Sequence, residues 1–162
     1  MRRPETRILG AQLNLANTYG KLGRPESAMQ IERDVYYGYL KVAGEENEVT
    51  LSAANNYAAA LIDLKRIEEA KELLRKIMPV ARRALGKDNR ITLKMKRFYA
   101  KALYRDPAAT LDDLREAVTT LEETSRTARR VLGGAHPTVV WIEQSLKASR
   151  AVLRARETPG DA

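Results

Sequence analysis

Residues 52–74, SAANNYAAALIDLKRIEEAKELL, decide the fold because a related pattern occurs nearer the N-terminus. The related stretch, AQLNLANTYGKLGRPESAMQI, covers residues 11–31. In each stretch an asparagine-containing apolar segment is followed by a short charged turn and a second amphipathic segment. A pattern that recurs within one chain indicates a structural repeat rather than an active site.

The repeat has a period of 42 residues that lengthens once. Residue pairs at this spacing are Gly44 and Gly86, Ala16 and Ala58, Ala58 and Ala100, and Ala28 and Ala70. Beyond Tyr104 the offset is 47, because five extra residues fall within RDPAATLDD at residues 105–113. Insertions concentrate in loops, since a shifted helix would lose its packing. The insertion therefore marks a loop between two helices.

Each unit is predicted to form two antiparallel helices. In residues 49–64 and again in residues 67–85, apolar side chains recur along one broad helical face. The predicted ends of the first helices are Gly20, Leu64 and Tyr104, and the predicted starts of the second are Pro25, Ile67 and Leu111. The glycines expected to end the second helices are Gly44, Gly86 and Gly133. Pro79 should bend its helix or break it in two.

Alanine at matching sites of the two helices has a steric purpose. Only a small side chain allows two helix backbones to approach at the near end of the usual spacing of about 8–10 Å. We therefore predict an all-α fold with one domain over residues 7–155. Its parts are repeats at about 7–48, 49–90 and 91–137 and a capping helix at 138–155, with an N-terminal arm at 1–6 and a disordered tail at 156–162. In the capping helix Lys147 replaces the small residue, as a terminal helix with a solvated face permits.

The pattern resembles the tetratricopeptide repeat (TPR), whose two helices carry small residues twelve positions apart. Ala58 and Ala70 have that spacing. The 42-residue period, NNYA at 55–58, RIEEAKELL at 66–74 and GGAHP at 133–137 are similar to the kinesin-light-chain type of the repeat. The resemblance implies a right-handed solenoid of antiparallel helical hairpins, here three repeats plus a C-terminal capping helix. It also implies a protein-interaction adaptor, or scaffold, with a concave groove lined by the first helices.

The resemblance also assigns side chains to the groove as peptide-binding residues. They are Asn17 and Lys21 in the first unit, Asn55 in the second, and Lys94, Arg97, Lys101, Tyr104 and Arg105 in the third. An amide both donates and accepts hydrogen bonds, so Asn17 and Asn55 can hold the backbone of an extended peptide. The alternative for these two is a structural role only. Asn56 is expected to tie its helix to a neighbouring loop.

A row of basic residues is the sharpest signal for a ligand. Lys94, Arg97 and Lys101 lie at positions i, i+3 and i+7 on one helical stripe, which Arg105 extends. Residues 65–105 contain fourteen basic and four acidic residues, whereas the whole chain has a net charge of +8. The positive field is therefore local, and it favours an acidic extended peptide or a free C-terminal carboxylate. The alternative is a solvated basic face without a ligand.

Trp141 and His136 are each the only residue of their type. We expect Trp141 to be buried in the terminal hairpin, the alternative being an exposed aromatic anchor at the end of the groove. His136 lies in a Gly-Gly-Ala-His-Pro turn and is expected to serve the turn or the helix entry. The sequence has no nucleophile–base pair, phosphate loop, dinucleotide fingerprint or metal-ligand spacing. We therefore expect neither catalysis nor a cofactor or metal.

Composition narrows the partners and the compartment. The 162 residues include no cysteine, and no apolar run approaches the ~18 residues of a membrane span. These features favour a cytoplasmic protein. The predicted partner is a protein or peptide of acidic character. The alternative is a basic structural subunit of a larger assembly that contacts nucleic acid or acidic protein surfaces, and apolar residues of the end hairpins could pair two copies as a weak homodimer.

Overall fold

The structure, a computed structural model, describes residues 3–158 and residue 160. These residues form seven α-helices and no β-strand, which confirms the predicted all-α fold. The helices are α1 (Arg3–Lys21), α2 (Pro25–Ala43), α3 (Glu48–Asp63), α4 (Ile67–Leu85), α5 (Arg90–Arg105), α6 (Leu111–Leu132) and α7 (Pro137–Glu157). Successive helices pack against each other, so α1–α2, α3–α4 and α5–α6 are three hairpins and α7 closes the stack.

The helix ends follow the sequence signals closely. All three first helices end within one residue of the predicted position, and all three second helices begin at it. Gly44, Gly86 and Gly133 end α2, α4 and α6 with φ of 85°, 95° and 85°, a region that favours glycine. The prediction of a possible break at Pro79 is wrong, because α4 is one continuous helix across this residue. Proline removes a single backbone N–H, and the packing of α4 on α3 and α5 supports the helix around the missing bond.

The first two hairpins turn through the same backbone motif. The residue two positions beyond each first helix is left-handed, with φ of 70° at Gly23 and 61° at Lys65. The amide N–H of the next residue, Arg24 or Arg66, bonds back to a carbonyl five residues earlier. This is the Schellman arrangement, which satisfies carbonyls that a helix end leaves open.

The third hairpin has a longer connection, which takes up part of the insertion. Residues 106–110 connect α5 to α6, against residues 22–24 and 64–66 in the first two hairpins. The remaining inserted residues lengthen α6, which has 22 residues where α2 and α4 have 19. Asp106 follows α5, and its Oδ1 accepts a hydrogen bond from the backbone N–H of Ala108 at 2.9 Å. Its Oδ2 accepts one from Nζ of Lys71 on α4, at 2.5 Å. At the start of α6, Thr110 and Asp113 form a reciprocal capping box. Together these bonds fix the inserted residues against the second hairpin.

All but one of the alanines predicted at the helix crossings are buried. The buried ones, at most 2% exposed, are Ala16, Ala58, Ala100, Ala70 and Ala117, whereas Ala28 on α2 is half-buried. Buried apolar side chains form two clusters, one drawn from α1 to α5 and one from α5 to α7. Because α5 contributes to both clusters, it connects the two halves of the core.

The stack is tighter on the side of the first helices. α5 packs against both α3 and α7, and these three helices form what we call the inner layer. Within the described residues, the second helices α2, α4 and α6 do not pack against one another. Helices that converge on one side and diverge on the other give a curved stack, with the inner layer on its concave side.

The ends of the stack differ from the predicted boundaries by a few residues. Residues 3–6 of the predicted N-terminal arm belong to α1, and residues 156–157 of the predicted tail belong to α7. The rest of these two predictions, at residues 1, 2, 159, 161 and 162, lies outside the described residues. The first helix packs against α2, where Leu9 lies so close to Gly38 that a Cβ there would come within 2.5 Å of Leu9. Within the described residues it does not pack against α3.

Candidate functional site

The basic row on α5 faces the inner layer. The Nε–H of Arg97 donates to the backbone oxygen of Trp141 at 3.1 Å and to Oγ of Ser145 at 3.0 Å, both on α7. On the other side, Nζ of Lys101 lies 3.8 Å from Oδ1 of Asp63 on α3. One member of the row thus contacts each neighbouring first helix. These contacts place Arg97 and Lys101 on the side of α5 that faces the other first helices.

Trp141 lies at the α7 end of the basic row. Its side chain is 43% exposed, so the prediction that it is buried is wrong, and the alternative of an exposed aromatic holds. Nζ of Lys94 lies 5.7 Å from the centre of the indole ring, within the range of a cation–π contact. An apolar surface therefore adjoins the cations.

The three cations of the basic row lose hydration on burial, and nearby carboxylates do not make up for that loss. Burial lowers the pKa of Lys94, and the nearby Arg90 and Arg97 lower it further. Burial also lowers the pKa of Arg97 and of Lys101, and for both it outweighs the opposing effect of Asp63. Each cation is thus destabilised by lost hydration, and the two lysines also by neighbouring cations. A bound anion would relieve both effects.

Asn55 lies within α3 as a buried amide with spare hydrogen-bonding capacity. The residue is 4% exposed, and its Oδ1 is buried without a hydrogen-bond partner among the described residues. A buried amide oxygen without a donor is costly. The neighbouring Asn56 is exposed, and within residues 3–158 it forms no bond to a loop, so the expected tie is not made. Of these two asparagines, Asn55 is therefore the one with a buried oxygen that lacks a donor.

The remaining predicted site residues fall into separate places. Asn17 and Lys21 are exposed on α1, which does not pack against α3 within the described residues, so they are not joined to the basic row. Tyr104 is buried in the core cluster of α5 to α7. Arg105 is exposed and lies close enough to Lys101 to lower its pKa.

Sequence reasoning missed one polar member of this surface, Ser145. Its hydroxyl accepts a hydrogen bond from Arg97 and so helps to hold the guanidinium across α7. No sequence signal marked it, because the register of α7 against α5 is a property of the packed helices. The pairing of Asp63 with Lys101 depends on the same kind of register, between α3 and α5.

His136 is a helix cap, which confirms its expected role at the helix entry. Its Nδ1 accepts a hydrogen bond from the backbone N–H of Thr138 at 3.1 Å. Asn47 and Asn89 occupy the same position in the repeat and cap α3 and α5 in the same way. The imidazole here replaces an asparagine amide as the acceptor.

The described residues contain no group of three or more His, Asp or Glu side chains that could hold a metal ion. Among them no helix is long and apolar enough to cross a membrane.

A curved stack of helical hairpins with an inner layer of first helices defines a helical-repeat protein of the solenoid class. Residues 8–47 and 50–90 match the family model of the tetratricopeptide repeat, and the chain therefore belongs to the TPR family. A comparison with curated protein sequences found no match.

Two solved structures share the fold. Both are crystal structures of kinesin light chain nearly identical TPR-like repeats from Podosopora anserina, one of them with a single substitution. Each is 21% identical to this chain with a TM-score of 0.69. The alignments cover 92% and 97% of this chain and 68% and 72% of theirs. At this identity the likeness establishes the architecture, and it agrees with the kinesin-light-chain-like period of the sequence.

Proposed function

We propose that this protein is an interaction adaptor that binds an acidic, extended peptide along the inner face of α5. TPR arrays are protein–protein interaction scaffolds, and the fold typically serves binding rather than catalysis. The observation that carries the acidic specificity is the row Lys94, Arg97 and Lys101. Its three partly buried cations have Asp63 as the only carboxylate within ion-pair distance among the described residues.

The geometry prepares Arg97 for a carboxylate. Its Nε–H is held by α7, so the side chain is fixed while the terminal N–H groups remain free to donate. A hydrogen bond between charged groups contributes about 1.5–3 kcal/mol, and a guanidinium can bind both oxygens of one carboxylate. Because α7 already orders the Arg97 side chain in the free protein, less conformational entropy is lost when a peptide binds.

The two ends of the surface supply the other contacts of the proposed site. Trp141 offers an aromatic face beside Lys94, suited to an apolar side chain next to the acidic residue. On the α3 side, Lys101 beside Asp63 supplies a cation, whereas Oδ1 of Asn55 is buried and lies out of reach of a peptide on the surface. The peptide would thus cross α5 from α3 to α7.

A binding assay with labelled acidic peptides tests the proposal. The triple variant Lys94→Ala, Arg97→Ala, Lys101→Ala should weaken binding by about tenfold or more, since several charged hydrogen bonds are lost. The matched control is Lys76→Ala, Arg82→Ala, Lys87→Ala, which removes the same charge from exposed positions outside the row. The control should bind within about twofold of the wild type. Equal loss in both variants would overturn the adaptor proposal, because binding would then depend on net charge alone.

A basic subunit that contacts nucleic acid is the second candidate. It is favoured by a cleft of about 550 Å³ on α4 and α5 that is lined by Arg82, Arg83 and Lys96. The same variants titrated with single-stranded RNA separate the candidates. Loss of peptide binding with RNA binding retained in the row variant supports the adaptor. RNA binding without any peptide binding supports the second candidate, whereas steep salt dependence would accompany either ligand.

A further inference from the structure

The side of α1 opposite the inner layer carries an exposed stripe at helical spacing. Its members, which we call the α1 stripe, are Ile8, Ala11, Leu15, Thr18 and Leu22. They lie at i, i+3, i+7, i+10 and i+14, which places them on one face of α1 and its first following residue. The three large apolar side chains are 60%, 46% and 68% exposed in that order. Single exposed leucines are ordinary, but a row of them marks an interaction surface.

The same register is buried or half-buried in every other first helix. Where α1 has Ile8, the next three first helices have Thr50, Thr92 and Val139, each at most 2% exposed. Where α1 has Leu15, α3 has Tyr57 at 8%, α5 has the half-buried Tyr99 and α7 has Leu146 at 9%. The repeat thus covers this face in the other first helices, and α1 is the exception.

What covers this register is the second helix of the preceding hairpin. The ring of Tyr57 on α3 stacks on that of Tyr36 on α2, with centroids 6.2 Å apart. On α5, the guanidinium of Arg75 from α4 lies 6.0 Å from the ring of Tyr99. In the same way α6, the second helix of the third hairpin, packs against α7, the first helix that follows it. The α1 stripe therefore has the form of a surface that receives a second helix.

A recurring ion pair indicates the charge of that missing neighbour. Near the end of α4, Nε of Arg83 donates to Oε1 of Glu46, in the turn that follows α2, at 3.1 Å. In the next unit, Arg130 of α6 bonds to Asp88, in the turn that follows α4, at 3.3 Å. Lys41 on α2 occupies the same register as these arginines and is exposed. Its counterpart would be an acidic residue in the turn that follows a docked helix.

We propose that the α1 stripe and Lys41 dock the exposed second helix that ends the array of another helical-repeat protein, with an acidic residue in the turn that follows that helix. A second copy of this chain does not offer such a surface. In the described residues of each copy, the corresponding faces of α2, α4 and α6 are covered by α3, α5 and α7. This proposal does not depend on the acidic-peptide site of α5.

A synthetic peptide with the sequence of residues 67–88 is the probe, because it contains a second helix and the acidic turn residue Asp88. Labelled at its N-terminus and titrated with the full chain, it should bind saturably. Leu15→Asp in the full chain should weaken binding at least about tenfold, since a buried unpaired carboxylate is costly. The matched control is Val131→Asp, an exposed valine on α6 away from the stripe, which should bind like the wild type.

A charge exchange tests the ion pair separately. The probe with Asp88→Lys should bind the wild type several-fold more weakly, and Lys41→Glu in the full chain should restore its binding. Binding that is unchanged by Leu15→Asp would overturn the proposal, since the probe would then be displacing α4 or adhering elsewhere. Sedimentation that shows a dimer of the full chain, dissociated by Leu15→Asp, would also overturn it in favour of the homodimer expected from the sequence. No binding at millimolar probe would exclude the docking surface.

Discussion

Glu32 is a carboxylate at a position where the other two repeats place leucine. The residues in the same register are Leu74 and Leu121, both fully buried. Glu32 is buried as well, and its Oε2 has no hydrogen-bond partner among the described residues. Burial raises the pKa of Glu32 to about 7. The first hairpin therefore contains a core position that favours an uncharged carboxyl group.

This carboxyl group should make the stability of the protein fall between about pH 4.5 and pH 7. The pKa of Glu32 is raised from 4.5 to about 7 on folding. The contribution of Glu32 to the free energy of unfolding is therefore fully present below pH 4.5 and is lost as the pH rises towards 7. At about 1.4 kcal/mol for each pKa unit, the loss has an upper bound of about 3.5 kcal/mol. Urea unfolding at pH 5.5 and pH 8 measures it. Glu32→Gln should remove most of the difference, and a wild type equally stable at both pH values would contradict the account.

Lys65 adopts a backbone conformation that the first hairpin assigns to glycine. Its φ is 61°, against 70° for Gly23 at the same place in the repeat. A left-handed residue with a side chain costs about 1 kcal/mol relative to glycine. Lys65→Gly should therefore raise the free energy of unfolding by up to about 1 kcal/mol, measured by urea denaturation. The converse variant Gly23→Lys should lower it, and a loss on Lys65→Gly would show that the lysine side chain contributes more than the backbone costs.

At the scale of elements, a buried ion pair holds the connection between α5 and α6. The side chains of Lys71 and Asp106 are 8% and 11% exposed. The hydrogen bond from Lys71 is the main reason that the pKa of Asp106 lies below its usual value. For Lys71, burial acts to lower the pKa, but the hydrogen bonds to Asp106 and Glu68 outweigh it and the pKa is raised. The charged forms of both partners are thus stabilised by the pair.

Asp106→Ala should therefore destabilise the protein by about 3 kcal/mol, because it leaves the Lys71 ammonium buried with one partner. The matched control is Glu68→Ala, which removes the other carboxylate on the same ammonium. Glu68 is 78% exposed, and an exposed pair contributes about 1 kcal/mol or less. Denaturant midpoints of the two variants give the comparison. Equal costs would show that the insertion is not held by Asp106.

The helices themselves could be predicted from the sequence because their signals are local. Glycine after each second helix and the alanines at the crossings identify the ends and the contacts without knowledge of the rest. Pro79 shows the limit of local reasoning. One missing hydrogen bond is outweighed by the packing of α4 between two helices, which no pattern within residues 67–85 reveals.

At the scale of the whole molecule, the stripe of Lys94, Arg97 and Lys101 could be assigned to the inner face, but its contacts could not. The exposure of Trp141 and the bonds from Arg97 to α7 depend on how far one helix is displaced along its neighbour. Sequence periodicity predicts which side chains share one face of a helix, but it does not predict how far the helix is displaced along its neighbour. For the same reason the sequence did not show that Asn17 and Lys21 are separated from the basic row. Their separation arises because α1 packs on α2 and, within the described residues, not on α3.

The stack should unfold from its N-terminal end. α5 is supported by α3, α4, α6 and α7, whereas α1 is supported by α2 and carries the exposed α1 stripe. In a repeat array stability depends on neighbouring interfaces, so a helix with one interface opens at a lower cost than a helix with four. Amide hydrogen exchange followed by mass spectrometry should show α1 exchanging on the order of a hundredfold or more faster than α5, with α7 between them.

Measurement at two protein concentrations separates this gradient from association. If two copies or a docked helix covered the α1 stripe, protection of α1 would rise with concentration or with added probe peptide. The isolated chain should show no concentration dependence. Protection of α1 equal to that of α5 at both concentrations would contradict the prediction, because it would mean that α1 opens only when the entire stack unfolds. In that case the exposure of the α1 stripe would not lower the local stability of α1. The α1 stripe would then no longer be supported as an incomplete interface.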